Sequence, residues 1–180
     1  MDIEIDAEAK DKRLNRMVAL SVVVLSSFMG LGQVKDGNIV QAMAQAQSNA
    51  VDRWGEYQAT RTKLHIDETA LAQARAIPAL APEVARLSAE MAKYEKESPK
   101  LRNQAEGFQA EYDALNVHDD QFDASEAAIG VAVAIAAVAA LSESFPALFV
   151  AWLFGGFGVA MGLAGFLGWA LKSPIASLLS

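Results

Sequence analysis

No cysteine occurs in the chain, which excludes disulfide frameworks, thiolate metal sites, iron–sulfur clusters and cysteine nucleophiles. Histidine is nearly absent too: His65 stands alone, and His118 sits among acids. No HExxH, GxSxG or phosphate-loop pattern is present, and Gly155-Gly156-Phe157-Gly158 lies inside an apolar run where a phosphate has no place. Positive charge is in deficit. The net charge of −7 argues against a nucleic-acid partner, which needs clustered Lys and Arg. These absences leave no visible catalytic constellation, so no enzyme activity and no cofactor is expected.

The most telling absence is local. Asp, Glu, Lys and Arg are missing from residues 17–34, 127–142 and 144–171. Lipid hydrocarbon is about 30 Å thick and is crossed by about 20 apolar helical residues. The third run is long enough to cross unaided. The first is marginal, and the second is short and alanine-rich. Only a tight link, ending at Pro146, separates the second from the third. Pro146 suits the first turn of a new helix, so the two runs read as antiparallel neighbours. No ionisable residue interrupts any run, which excludes a charged relay across the bilayer.

This divides the chain into a cytoplasmic segment (1–16), a first span (17–34), an extramembrane stretch (35–126), a second span (127–142), a third span (146–171) and a C-terminal tail (172–180). Lys10, Lys12, Arg13 and Arg16 precede the first span, and Lys35 alone closely follows it. Positive residues remain on the cytoplasmic side, so the N-terminus is expected inside and the extramembrane stretch outside. A cleaved signal peptide is disfavoured, because the leading segment carries Asp2, Glu4, Asp6, Glu8 and Asp11 and the apolar run is longer than usual.

Pro78 and Pro82 lie near the middle of residues 35–126. They predict a hairpin whose arms, about 40 residues each, would run roughly 60 Å as helices. The second arm alternates spacings of three and four through Val84, Leu87, Met91, Tyr94, Ser98, Leu101, Ala105, Phe108, Tyr112, Leu115, Asp119 and Phe122. That is a coiled-coil seam. The first arm has a looser stripe: Ile39, Met43, Ala46, Ala50, Trp54, Tyr57, Leu64, Leu71 and Ala74. Trp54, Tyr57, Tyr94, Phe108 and Tyr112 are the expected anchors of the hairpin. Asp52, Gln58 and Arg61 are expected to hydrogen-bond across the arms. Ser98-Pro99 predicts a break in the second arm. Gly37-Asn38 offers a turn after the first span; without one, span and arm form a single helix.

Helices in lipid associate through close packing. The third span carries Gly156, Ala160, Ala164 and Gly168 at steps of four, and a second small face of Gly155, Gly158, Gly162 and Gly165. The second span carries Ala124, Ala128, Ala132, Ala136 and Ala140. One small face suffices for an intramolecular hairpin, and two call for a further partner. Trp152 and Trp169 read as interfacial anchors. Ser21, Ser26 and Ser27 are expected to bond their own helix. His118, Asp119, Asp120, Asp123 and Glu126 form an acidic collar before the second span. It reads as a solvated boundary in preference to a cation site, because no dedicated metal spacing is present.

Asp52-Arg53-Trp54-Gly55-Glu56-Tyr57-Gln58-Ala59, followed by His118-Asp119-Asp120-Gln121-Phe122-Asp123, resembles domain of unknown function (DUF) family 4337, bacterial membrane proteins without an assigned role. The resemblance spans nearly the whole chain and implies no catalytic residues. Its members typically carry basic residues in the turn between the last two spans, where this chain has Ser142-Glu143-Ser144-Phe145. The expectation is an all-α protein with three transmembrane helices and an extramembrane antiparallel helical hairpin. It would sit in the bacterial inner membrane with the hairpin in the periplasm. Its expected partners are the lipid bilayer and either further copies of itself or a larger membrane complex. The expected role is non-enzymatic interaction or scaffolding; the alternative is a homo-oligomeric pore or channel component.

Overall fold

The computed structural model describes the backbone of residues 2–169 and the side chains of residues 12–169. The expected C-terminal tail, the last two residues of the expected third span and most side chains of the N-terminal segment lie outside the described residues. Three α-helices and one 3-10 turn follow one another: α1 (Asp2–Ala74), the turn Pro78–Leu80, α2 (Ala81–Leu141) and α3 (Phe145–Leu167). Each helix contains a stretch long and apolar enough to cross a membrane.

Neither Gly37-Asn38 nor Ser98-Pro99 interrupts its helix. α1 runs straight through Gly37-Asn38. A single glycine costs a helix only about 1 kcal/mol, which the burial of neighbouring Ile39 offsets. α2 likewise continues through Pro99. Proline removes one backbone donor and costs about 3 kcal/mol. Here Ser98, Leu101 and Ala105 are all buried around it, and the Ser98 hydroxyl donates to the Tyr94 carbonyl at 2.8 Å. The break read from Ser98-Pro99 is therefore corrected: burial on both sides of the proline outweighs its local cost.

The chain divides into two compact units, one of residues 1–41 and 115–180, the other of residues 42–114. The second unit is the helical hairpin. Its tip forms where Ile77 adopts the extended backbone that a following proline demands (φ −123°, ψ 106°) and Pro78 opens the 3-10 turn. Pro82 falls in the first turn of α2, where it forfeits no intrahelical bond. Buried residues recur at heptad spacing on both arms: Met43, Ala46, Ala50, Thr60, Leu64, Leu71 and Ala74 on α1, and Leu87, Ser98, Leu101 and Ala105 on α2. Arg86 bridges Glu83 and Glu90, and Arg102 bridges Glu106, along the exposed face of α2. Such exposed pairs contribute little to stability.

In the first unit, segments of all three helices pack together. One apolar cluster joins Leu14 and Val18 of α1, Ala136 and Ala139 of α2, and Leu148 and Ala151 of α3. A second joins Leu25, Ile129 and Ala132 with Phe28 and Val159. The outer faces are strongly apolar: Leu20, Val23, Val24, Leu31 and Val34 on α1, and Phe149, Leu153 and Leu167 on α3, are all exposed.

The α2–α3 link is Ser142-Glu143-Ser144. Glu143 takes positive φ (50°), and the Ser144 amide reaches back to the Ala139 carbonyl at 3.0 Å. Ser144 then caps α3, its hydroxyl accepting from the Ala147 amide, with Pro146 in the first turn as expected. α3 ends earlier than the charge-free run implied. Gly168 adopts the left-handed conformation (φ 69°, ψ 27°), and the Trp169 amide bonds the Ala164 carbonyl at 2.9 Å. This glycine-terminated end stops the helix by backbone geometry, which hydropathy does not register.

Candidate functional site

The small-residue faces of α3 separate cleanly. Gly155, Gly158, Gly162 and Gly165 are buried. A Cβ at Gly158 would lie 2.7 Å from Ile129 Cγ1 and 2.9 Å from the Ser125 carbonyl oxygen, so the α2 backbone itself occupies the space. At Gly155 the obstacle is Leu25 of α1, at Gly162 it is Phe28 and Ser125, and at Gly165 it is Phe122. Ala124, Ala128, Ala132 and Ala136 of α2 are buried, and Ala140 packs on the first apolar cluster. The other ladder is divided. Ala164 is buried, Gly156 and Ala160 are exposed with open space beside Gly156, and Gly168 serves as the helix cap.

Two polar links tie α3 to its neighbours. The Trp152 indole donates to the Ser21 hydroxyl of α1 at 2.8 Å. Ser21 therefore accepts a bond from another helix, which corrects the expectation for it. At the other end of α3, the Gln121 amide donates to the Trp169 carbonyl at 2.7 Å, while the Gln121 side-chain oxygen lies 3.1 Å from His118 Nδ1. Gln121 is fully buried. A glutamine amide can meet that condition because it satisfies an orphan carbonyl at the helix end.

Next to it stands the acidic collar, now with a member from α1. Asp36 and Asp119 lie within hydrogen-bonding reach of each other. Gln33 of α1 donates to Glu126 of α2 at 2.8 Å. A cavity of 10 Å³, about the size of one water, is lined by Gly32, Gln33, Asp36, Phe122, Ser125 and Glu126. Burial pushes the Asp119 carboxyl up to about 6, helped by the charges of Asp36 and Asp123. Burial and then Asp123 raise Asp36, against the lowering effect of its hydrogen bond to Asp119. Asp123 is raised by burial and then by Asp120 and Glu126. Among the described residues, no three His, Asp or Glu side chains are placed to hold a metal ion.

The hairpin anchors lie along the seam. Trp54 and Tyr57 meet edge to face, 5.6 Å between centroids, and both are half-buried, as are Tyr94, Phe108 and Tyr112. The polar residues beside them do not cross the arms. Asp52 and Gln58 are exposed, and Arg61 lies against His65 one turn along its own helix. The expected cross-arm hydrogen bonds are thus corrected: Asp52 and Gln58 turn to solvent, and half-buried Arg61 meets a partner on its own helix.

Compared with known families, residues 14–168 match the domain of unknown function DUF4337. The chain belongs to this family. No curated protein and no solved structure matches it.

In this DUF4337 chain the two motifs hold different places. Asp52–Ala59 lies in the hairpin. His118–Asp123 lies in the three-helix unit, where Phe122 is the wedge. It is buried, meets Phe166 edge to face at 5.1 Å, and fills the space left by Gly165 of α3 and Gly32 of α1. By sequence spacing Phe122 is the last residue of a seam, and Gly165 belongs to one of two small faces. Their pairing, the burial of Gln121 and the arrival of Asp36 had no signal in a single sequence, because each depends on residues from different helices meeting.

Proposed function

We propose that this DUF4337 protein is a non-enzymatic membrane interaction protein, an accessory or self-assembling subunit of a membrane complex. The supporting observation is the division of α3. Its buried glycines are occupied by α1 and α2, whereas Gly156 and Ala160 face outward on a helix flanked by exposed Trp152, Leu153 and Leu163. Small residues one turn apart are what a further membrane helix packs against. The alternative, a pore, draws on the acidic collar, which would concentrate cations at a mouth. Within one chain the interior is filled by Ile129, Ala132, Ala136 and Leu148, so any conducting path would run between copies.

Native mass spectrometry of gently extracted protein tests the proposal by reporting copy number and partners together. A lone monomer with nothing bound would count against it. For location we propose the bacterial inner membrane, with the N-terminus cytoplasmic and the hairpin periplasmic. Lacking cysteine, the chain accepts a single reporter thiol at Asp52. It would be labelled by an impermeant maleimide from the periplasmic side if that orientation holds.

A further inference from the structure

The α1 arm of the hairpin carries two stripes, and only one of them is covered. The covered stripe repeats at heptad spacing, with Ala46, Ala50, Thr60, Leu64 and Leu71 buried. The other steps by eleven residues. Ala44, Gly55 and Ile66 form one row, and Gln47, Gln58 and Thr69 a second. Val51, Thr62 and Gln73 form the third. Eleven residues complete about three helical turns, so the rows lie side by side on one face. Every residue of the three rows is exposed. From Ala44 to Gln73 the face runs about 44 Å.

Its chemistry differs from the rest of the arm. Every Asp, Glu, Lys and Arg between residues 44 and 73 lies off it. Val51 and Ile66 stand on it 59% and 61% exposed. The Thr62 and Thr69 hydroxyls donate to the Gln58 and His65 carbonyls of their own helix at 2.9 and 3.0 Å, so neither needs an outside partner. An open recess of 550 Å³ lies along the face, lined by Thr62, Ile66, Thr69 and Gln73 with His65 and Ala70.

We infer that this face receives the α1 arm of a second copy of the chain, parallel and in register. The inference rests on the interaction reading and deepens it by naming the partner and the surface. α1 is one unbroken helix from Asp2 to Ala74, so copies inserted alike in one membrane present their arms running the same way. A two-fold pair of such arms sets each residue against its own counterpart. Any charge on the face would then meet its like, which is unfavourable, and the face has none. Glutamine can face itself, because its amide both donates and accepts. Gln47, Gln58 and Gln73 pair in this way and fix the register, while Val51 and Ile66 each bury against their own copy. A strongly charged partner finds nothing here to pair with.

The experiment uses the full chain in native membranes, where the absence of cysteine lets single thiols report. Under mild oxidation, Val51→Cys and Ile66→Cys should each give about tenfold more disulfide-linked dimer than Glu56→Cys or Glu68→Cys, which are exposed on other faces. The double variant Val51→Lys with Ile66→Lys should lower the oligomer seen by native mass spectrometry with helical content unchanged, and Glu56→Lys should not. Equal linkage at all four thiol positions would overturn the inference. So would linkage of Val51→Cys only to Ile66→Cys in a mixture of the two, which marks antiparallel arms. If native mass spectrometry still shows an oligomer in either case, the interaction reading stands without this surface; a lone monomer sinks both.

Discussion

The two units hold their helices together by opposite means. In the hairpin, side chains of ordinary size interlock: Leu64, Leu71, Leu87 and Leu101 are buried at heptad intervals, and Gly55 and Gly107 face open space. In the three-helix unit, contact depends on side chains being missing. Gly158 lies against the α2 backbone, and Gly155, Gly162 and Gly165 each accept a large side chain from a neighbouring helix. The first arrangement suits water, where burying leucine is itself favourable by about 1.5–3 kcal/mol. The second suits surroundings as apolar as the side chains, where only closeness distinguishes a good contact from a poor one.

This contrast can be broken most severely at Gly158. Gly158→Val places a methyl where Ile129 and the Ser125 carbonyl already are, and should destabilise the three-helix unit by about 3 kcal/mol in mixed-micelle unfolding. Gly156→Val, two residues away in open space, should leave that unfolding transition nearly unchanged while reducing the oligomer seen by native mass spectrometry. Equal effects of the two substitutions would erase the distinction between the faces. Phe122→Ala should cost about 3 kcal/mol, since it empties the space between Gly32 and Gly165 and removes the contact with Phe166. Leu101→Ala in the hairpin should cost about 2 kcal/mol, lowering hairpin stability without altering oligomer number. Asp119→Asn should raise stability at neutral pH by about 1 kcal/mol, a linkage value reduced for partial exposure to water, and the gain should disappear below about pH 4. The smallest effect belongs to the link: Glu143→Gly relieves a left-handed residue and should add about 0.5–1 kcal/mol to thermal stability.

Residues whose meaning is local were legible in the sequence. The charge-free run from residue 144 marks α3, AIPALAPE marks the tip, and the spacing from Val84 to Tyr112 marks the buried side of α2. Two local signals misled. Ser98-Pro99 and the charge-free stretch beyond Gly168 each set a short-range preference against something it cannot see, burial in one case and a left-handed glycine in the other. The candidate site was legible only in part. The acids of the collar were evident, but Asp36 joins them from 83 residues away (119 − 36). Likewise two glycine faces were apparent, and which of them was occupied depended on where Ile129, Phe28 and Phe122 came to lie.

The bond from Trp152 to Ser21 limits how α1 can move against α3. A helix advances about 100° per residue, so twisting α1 by even one position would swing the hydroxyl off the indole. In lipid hydrocarbon, where water is scarce, such a lost bond would go unreplaced. Rotation is thereby keyed to a single setting. With Trp54→Phe and Trp169→Phe removing the other two indoles, the emission of Trp152 would report loss of that bond.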